Sequence, residues 1–89
     1  MTNISFLKGK SLKEQLKRLF RDHEVADLAW LTNMVFVDLS ERENPVTWQE
    51  LVPVRDELFR EGHISRFVDP KDKRNYQEPF VPYVRTGYL

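Results

Sequence analysis

The sequence has no cysteine, only three glycines, no surplus of either charge and no long apolar run. Each absence removes a class of protein. Without cysteine there is no disulfide scaffold, no thiolate-ligated zinc, no iron–sulfur cluster and no thiol nucleophile. The same absence fits a reducing compartment, and a cytoplasmic location is expected. Gly9, Gly62 and Gly87 lie too far apart to form a glycine-rich phosphate loop. No apolar stretch reaches the length of a bilayer span, and Met1–Lys10 lacks a signal peptide's apolar core, so no membrane role is expected. What is present reads as globular: 40% apolar, 12% aromatic and 31% charged. At 89 residues the chain holds one small domain, 1–89, and not two lobes around a cleft. Such a domain buries a modest share of its surface, which favours completion by a partner chain.

The balance of 14 basic and 14 acidic residues conceals a division. Residues 1–21 sum to +5, residues 22–61 to −7 and residues 62–89 to +2. This is either a polarised surface or a set of solvated faces that happen to segregate.

Local signals divide the chain. Ile4, Phe6 and Leu7 suggest a short extended lead-in. Ser11-Leu12-Lys13-Glu14 is a capping box, and Leu12, Leu16, Leu19 and Phe20 recur at helical spacing, predicting a helix that ends near Asp22-His23. Lys10, Lys13, Lys17 and Arg21 run down a neighbouring face. A second helix is expected from Glu24 to Ser40, capped by Asp22, with Val25, Leu28, Val35 and Phe36 on one face and Trp30, Met34 and Val37 on the other. A helix apolar on both sides is either the central helix of the domain or half of a dimer interface. Thr47-Trp48-Gln49-Glu50 is a second capping box, opening a helix that reaches Glu61, with Pro53 expected to kink or restart it. Gly62 suits the left-handed position after that helix. Beyond it the period becomes two: His63–Val68 reads as a strand, Asp69–Lys73 as a turn and Arg74–Glu78 as the return strand. The segment 79–89 carries Phe80, Tyr83 and Tyr88 between prolines and is expected to be extended and packed.

The predicted class is α+β: three helices followed by a β-hairpin, the order of a winged helix. The stretch Leu58-Phe59-Arg60-Glu61-Gly62-His63-Ile64-Ser65-Arg66, followed by Asp69-Pro70-Lys71-Asp72-Lys73-Arg74, resembles the recognition-helix end and wing of MarR-type transcription regulators. The resemblance covers about the last third of the domain. It implies a recognition helix in the major groove and a wing reaching the minor groove or backbone, with Lys71 and Lys73 at the wing tip. It also implies that Arg74 braces the wing by pairing with Asp69 or Asp72. The chain departs from the family in the compression of its helix-turn-helix around Pro53 and in lacking the long dimerisation helices.

The DNA-binding candidates are therefore Arg55, Arg60 and Arg66, the wing lysines Lys71 and Lys73, and Lys13, Lys17 and Arg21 of the first helix. Trp30, Met34, Val37, Phe80, Tyr83 and Tyr88 are the candidates for an interface in a homodimer. The expected function is a small regulator of double-stranded DNA. The alternative is a winged-helix-like module that binds another protein, because the third helix sets Arg55 and Arg60 against Glu50, Asp56, Glu57 and Glu61, and phosphates repel such a face. His23 and His63 share no metal-ligand spacing, and no nucleophile elbow accompanies Ser65 and His63, so neither catalysis, metal nor cofactor is expected.

Overall fold

The structure, a computed structural model, describes residues 9–87. Three helices and a three-stranded antiparallel sheet follow the order α1 (Leu12–Asp22), β1 (Val25–Ala26), α2 (Leu28–Met34), α3 (Trp48–Arg60), β2 (Ile64–Arg66) and β3 (Tyr83–Arg85), with sheet order β1-β3-β2. This is a small α+β domain, compatible with a winged-helix-like architecture. The lead-in around Ile4 and Phe6 and the side chain of Tyr88 lie outside the described residues.

Helix α1 begins where the capping box puts it. The Ser11 hydroxyl accepts from the Glu14 amide at 3.2 Å, and the helix ends at Asp22 with His23 as its C-cap. Its apolar stripe supplies Leu16, Leu19 and Phe20 to the core, joined by Leu28 and Leu31 of α2, Leu51 and Leu58 of α3, and Ile64 and Tyr83 of the sheet. Each fully buried leucine contributes about 1.5–3 kcal/mol of transfer free energy.

The second helix is shorter than its periodicity implies. Val25 and Ala26 pair with Val84 and Tyr83 as a strand, and Asp27, not Asp22, caps α2 by accepting from the Trp30 amide at 2.8 Å. The helix stops at Met34, and Val35 takes an extended conformation. A buried side chain offers the backbone a rival partner there: Gln15 Oε1 accepts from the Phe36 N–H at 2.6 Å and Gln15 Nε2 donates to the Phe36 carbonyl at 2.9 Å. With both polar groups of Phe36 satisfied by α1, the β-branched pair Val35 and Val37 settles into the extended form it prefers.

Helix α3 runs through Pro53 without the expected restart. The proline is exposed near the N-terminal end, so the amide it lacks deprives only the Gln49 carbonyl of a partner, where water can reach. Thr47 is the N-cap by conformation, but its hydroxyl makes no capping bond. The C-terminal end follows the sequence closely. Gly62 sits at φ +82°, its amide donates to the Phe59 carbonyl, and the His63 amide donates to Leu58 at 3.0 Å, the two bonds of a Schellman motif.

The return strand is not Arg74–Glu78. It lies further on, at Tyr83–Arg85, in the segment expected to be an extended tail, and it forms the centre of the sheet. Tyr83 is buried whereas Tyr76 remains exposed, and burial of the larger apolar surface decides the pairing. The wing is correspondingly long, spanning 67–82, closed at its base by the Phe67 amide donating to the Pro82 carbonyl at 3.1 Å.

Candidate nucleic-acid interface

The MarR-like resemblance points to α3 and the wing as the candidate surface, and charge is distributed very differently on the two. On α3, Glu57 and Glu61 both accept from Lys13 of α1, at 2.8 and 2.9 Å. These hydrogen bonds hold the Lys13 ammonium above its ordinary pKa and the Glu61 carboxyl below its own. Glu50 is taken by Arg42 at 2.7 Å, which lowers its pKa and raises that of the arginine. The basic first block and the acidic middle block of the sequence thus meet within one chain.

Arg55, expected to read DNA, is 5% exposed and points inward. Its Nε donates to Asp56 at 3.0 Å, its Nη2 contacts Glu78 Oε2 at 2.5 Å, and its guanidinium lies 4.5 Å from the centre of the Tyr83 ring. Burial is the largest single influence and acts to lower its pKa, but the interactions with Glu78, Tyr83 and Asp56 together outweigh it and leave the guanidinium above its ordinary value. A side chain so enclosed is unable to reach a base, and Arg55 is a structural residue that ties α3 to the returning arm of the wing. The Pro79 carbonyl adds a second tie by accepting from the Ala29 amide in the first turn of α2, at 3.0 Å.

The wing tip is ordered by two aspartates. Asp69 Oδ1 accepts from the Lys71 amide at 2.9 Å. Asp72 accepts from the Arg74 amide, from Arg74 Nε and Nη2 at 3.0 and 2.9 Å, and from the Tyr76 hydroxyl at 2.6 Å. Arg74 above all, with Tyr76, holds the Asp72 carboxyl well below the usual carboxylate range, and the bond to Asp72 raises the Tyr76 phenol. Arg74 is thus the brace expected from the resemblance, with Asp72 as its partner. Arg66, Lys71 and Lys73 are exposed and form no ion pair among the described residues. Arg66 and Lys73 stand beside exposed apolar side chains, Phe67, Val68, Tyr76 and Phe80, and with them line a groove of about 530 Å³. Sequence reading missed this groove, because its walls come from both arms of a loop assigned to two separate elements.

The remaining candidates scatter. Arg60 is exposed on the last turn of α3. Lys13 is occupied by its two carboxylates and is not a free phosphate contact, Lys17 is half-buried on α1, and Arg21 is exposed beside Asp22 at 4.0 Å. Trp30, Met34 and Val37 are partly buried against the core, Trp30 also stacking on His23 at 4.3 Å. Tyr83 is buried under Arg55 and Phe59; of the proposed interface only Phe80 stands out in solvent among the described residues. Among the described residues no cluster could hold a metal ion and no helix is long and apolar enough to cross a membrane. Comparison with protein-family models, with curated proteins and with solved structures gives no match for this chain.

Proposed function

We propose that this chain is a small nucleic-acid-binding domain of winged-helix type, a DNA-binding regulator that makes its contacts through the wing. The observation that supports this most is the state of the wing's charges. Arg66, Lys71 and Lys73 are exposed and unpaired among the described residues, while Asp72 is engaged by Arg74 and Glu78 by Arg55, leaving Asp69 as the only other acid of the loop. Free cations on an ordered loop suit phosphate contacts, and phosphate contacts supply most of the affinity of such domains. The MarR-like stretch assigns the same role to the wing.

The test is binding to a mixed-sequence duplex across a salt series. The parent is expected to bind with steep salt dependence. Lys71→Ala combined with Lys73→Ala is expected to flatten the log–log slope by about two units and leave the melting temperature unchanged. A double variant with the parent's slope would remove the lysines from the interface.

A second reading, a protein-docking module, is favoured by one observation: Phe67, Val68, Tyr76 and Phe80 are exposed side by side. Absence of binding to any nucleic acid would move the assignment there.

A further inference from the structure

We infer that the wing groove takes unpaired nucleotides, so that the preferred ligand is single-stranded nucleic acid or a locally opened duplex. The inference rests on the nucleic-acid reading of the wing and names the ligand class. Two features of the groove lead to it. Phe80 is 58% and Phe67 43% exposed, although an aromatic ring gains from burial and neither has been drawn into the core. Between them the groove is open, within the range of about 300–1,000 Å³ usual for small-ligand sites, and its lining sets Arg66 and Lys73, which form no ion pair among the described residues, beside Asp27, Asp69 and the Asp72–Arg74 pair. Exposed rings alternating with free cations form the stacking platform and phosphate track that bind a strand without base-pairing.

The geometry also says why the bases are unpaired. A ring stacks only on a base whose face is open, and in a duplex every face but the terminal ones is covered by its neighbours. Reading a duplex through the major groove would instead require α3, whose solvent side presents Glu50, Asp56 and Glu57 with Arg60 as its one exposed cation. Protein docking would use the rings equally well, but it leaves unexplained why Arg66 and Lys73 have no ionic partner among the described residues beside them. The second wall is preassembled: Arg74, fixed on Asp72, lies 5.1 Å from the centre of the Tyr76 ring and covers it. Phe67 and Phe80 are therefore the rings left to stack on bases, and Arg66, Lys71 and Lys73 the cations left for phosphates.

Fluorescence anisotropy with a labelled oligothymidylate of about 12 nucleotides, against a mixed-sequence duplex of equal length, tests this. The strand is expected to bind at least about tenfold more tightly than the duplex at equal salt. Phe80→Ala is expected to weaken strand binding about tenfold, with the duplex unaffected, and Phe80→Trp to restore it. Phe80 is exposed, so both variants should melt with the parent, which separates loss of binding from loss of fold. Duplex binding equal to or tighter than strand binding, with Phe80→Ala silent, would overturn the inference and leave the nucleic-acid reading standing. No binding to strand or duplex would overturn both.

Discussion

On α3 the charged side chains, Arg60 apart, are committed within the fold: Glu50 to Arg42, Glu57 to Lys13, Arg55 to Glu78 and Asp56. On the wing, a few residues further along, Arg66, Lys71 and Lys73 have no ionic partner among the described residues, and Phe67 and Phe80 are left in solvent. In the sequence both regions are mixtures of both signs. The difference lies in which charges find a partner. In the helix they hold elements together, and in the loop the aspartates hold the backbone while the cations are left to face outward. A charge count therefore misjudges the wing, which looks balanced through acids that are already used, whereas α3 offers phosphate one exposed cation, Arg60, among paired and solvent-facing acids.

The comparison breaks most severely at Arg55, where the two regions are joined. Arg55→Ala strands the half-buried Glu78 without its counter-ion and opens a hole over Tyr83; the expected loss is about 3 kcal/mol. For a domain of this size that lowers the melting temperature by more than about 10 °C. Faster hydrogen exchange is expected at the Ala29 and Phe67 amides, whose acceptors sit on the returning arm of the wing. A variant as stable as an ordinary surface substitution would show that the arm is held by other contacts.

Gly62 is the hinge between α3 and the sheet, and its substitution gives the next largest effect. A Cβ placed there meets nothing within 4 Å, so Gly62→Ala isolates the backbone term at φ +82°. The expected cost is about 1–2 kcal/mol, read as a drop of several degrees in melting temperature. No change would mean that the turn relaxes freely and that α3 is not fixed by its C-terminal cap.

The smallest effect sharpens the comparison on the α3 side. Glu61 titrates below its ordinary 4.5, so its pairing with Lys13 stabilises the fold above that pH and is lost as pH falls through the depressed value. Lys13 titrates above its ordinary 10.5, so its share is complete below that pH and is lost as pH rises through the raised value. Lys13→Met is thus expected to lower the melting temperature slightly between about pH 4.5 and 10.5, with the gap from the parent closing at either extreme. A gap independent of pH would assign the effect to packing of the lysine stem, not to charge.

Much of the fold was legible in the residues themselves. The Ser11 cap, the extent of α1, the end of α3 at Gly62, the start of β2 and the Arg74 brace all follow from signals within a few positions of one another. The candidate site was legible in part, as Lys71, Lys73 and Arg66 were marked by the wing motif, whereas Arg55 was misread because its helical arc does not show what stands opposite it. Trp30, Met34 and Val37 are partly buried against the core, the packing that the central-helix alternative implied.

The sequence by itself therefore determined the local elements: where α1 begins and ends, where α3 ends, where the period changes to two, and which turn the aspartates build. Capping, periodicity and turn chemistry act over one or two turns of chain, so neighbouring residues suffice to specify them. The tertiary structure alone decided that Val25 and Ala26 leave the helix to pair with Val84 and Tyr83, and that Gln15 stops α2 at Met34 by taking both polar groups of Phe36. It also decided that Tyr83–Arg85 forms the central strand and that Arg55 spends its charge on Glu78. These outcomes join residues far apart in sequence, and each is settled by competition for burial and for hydrogen-bond partners, which exists only once the chain has closed on itself.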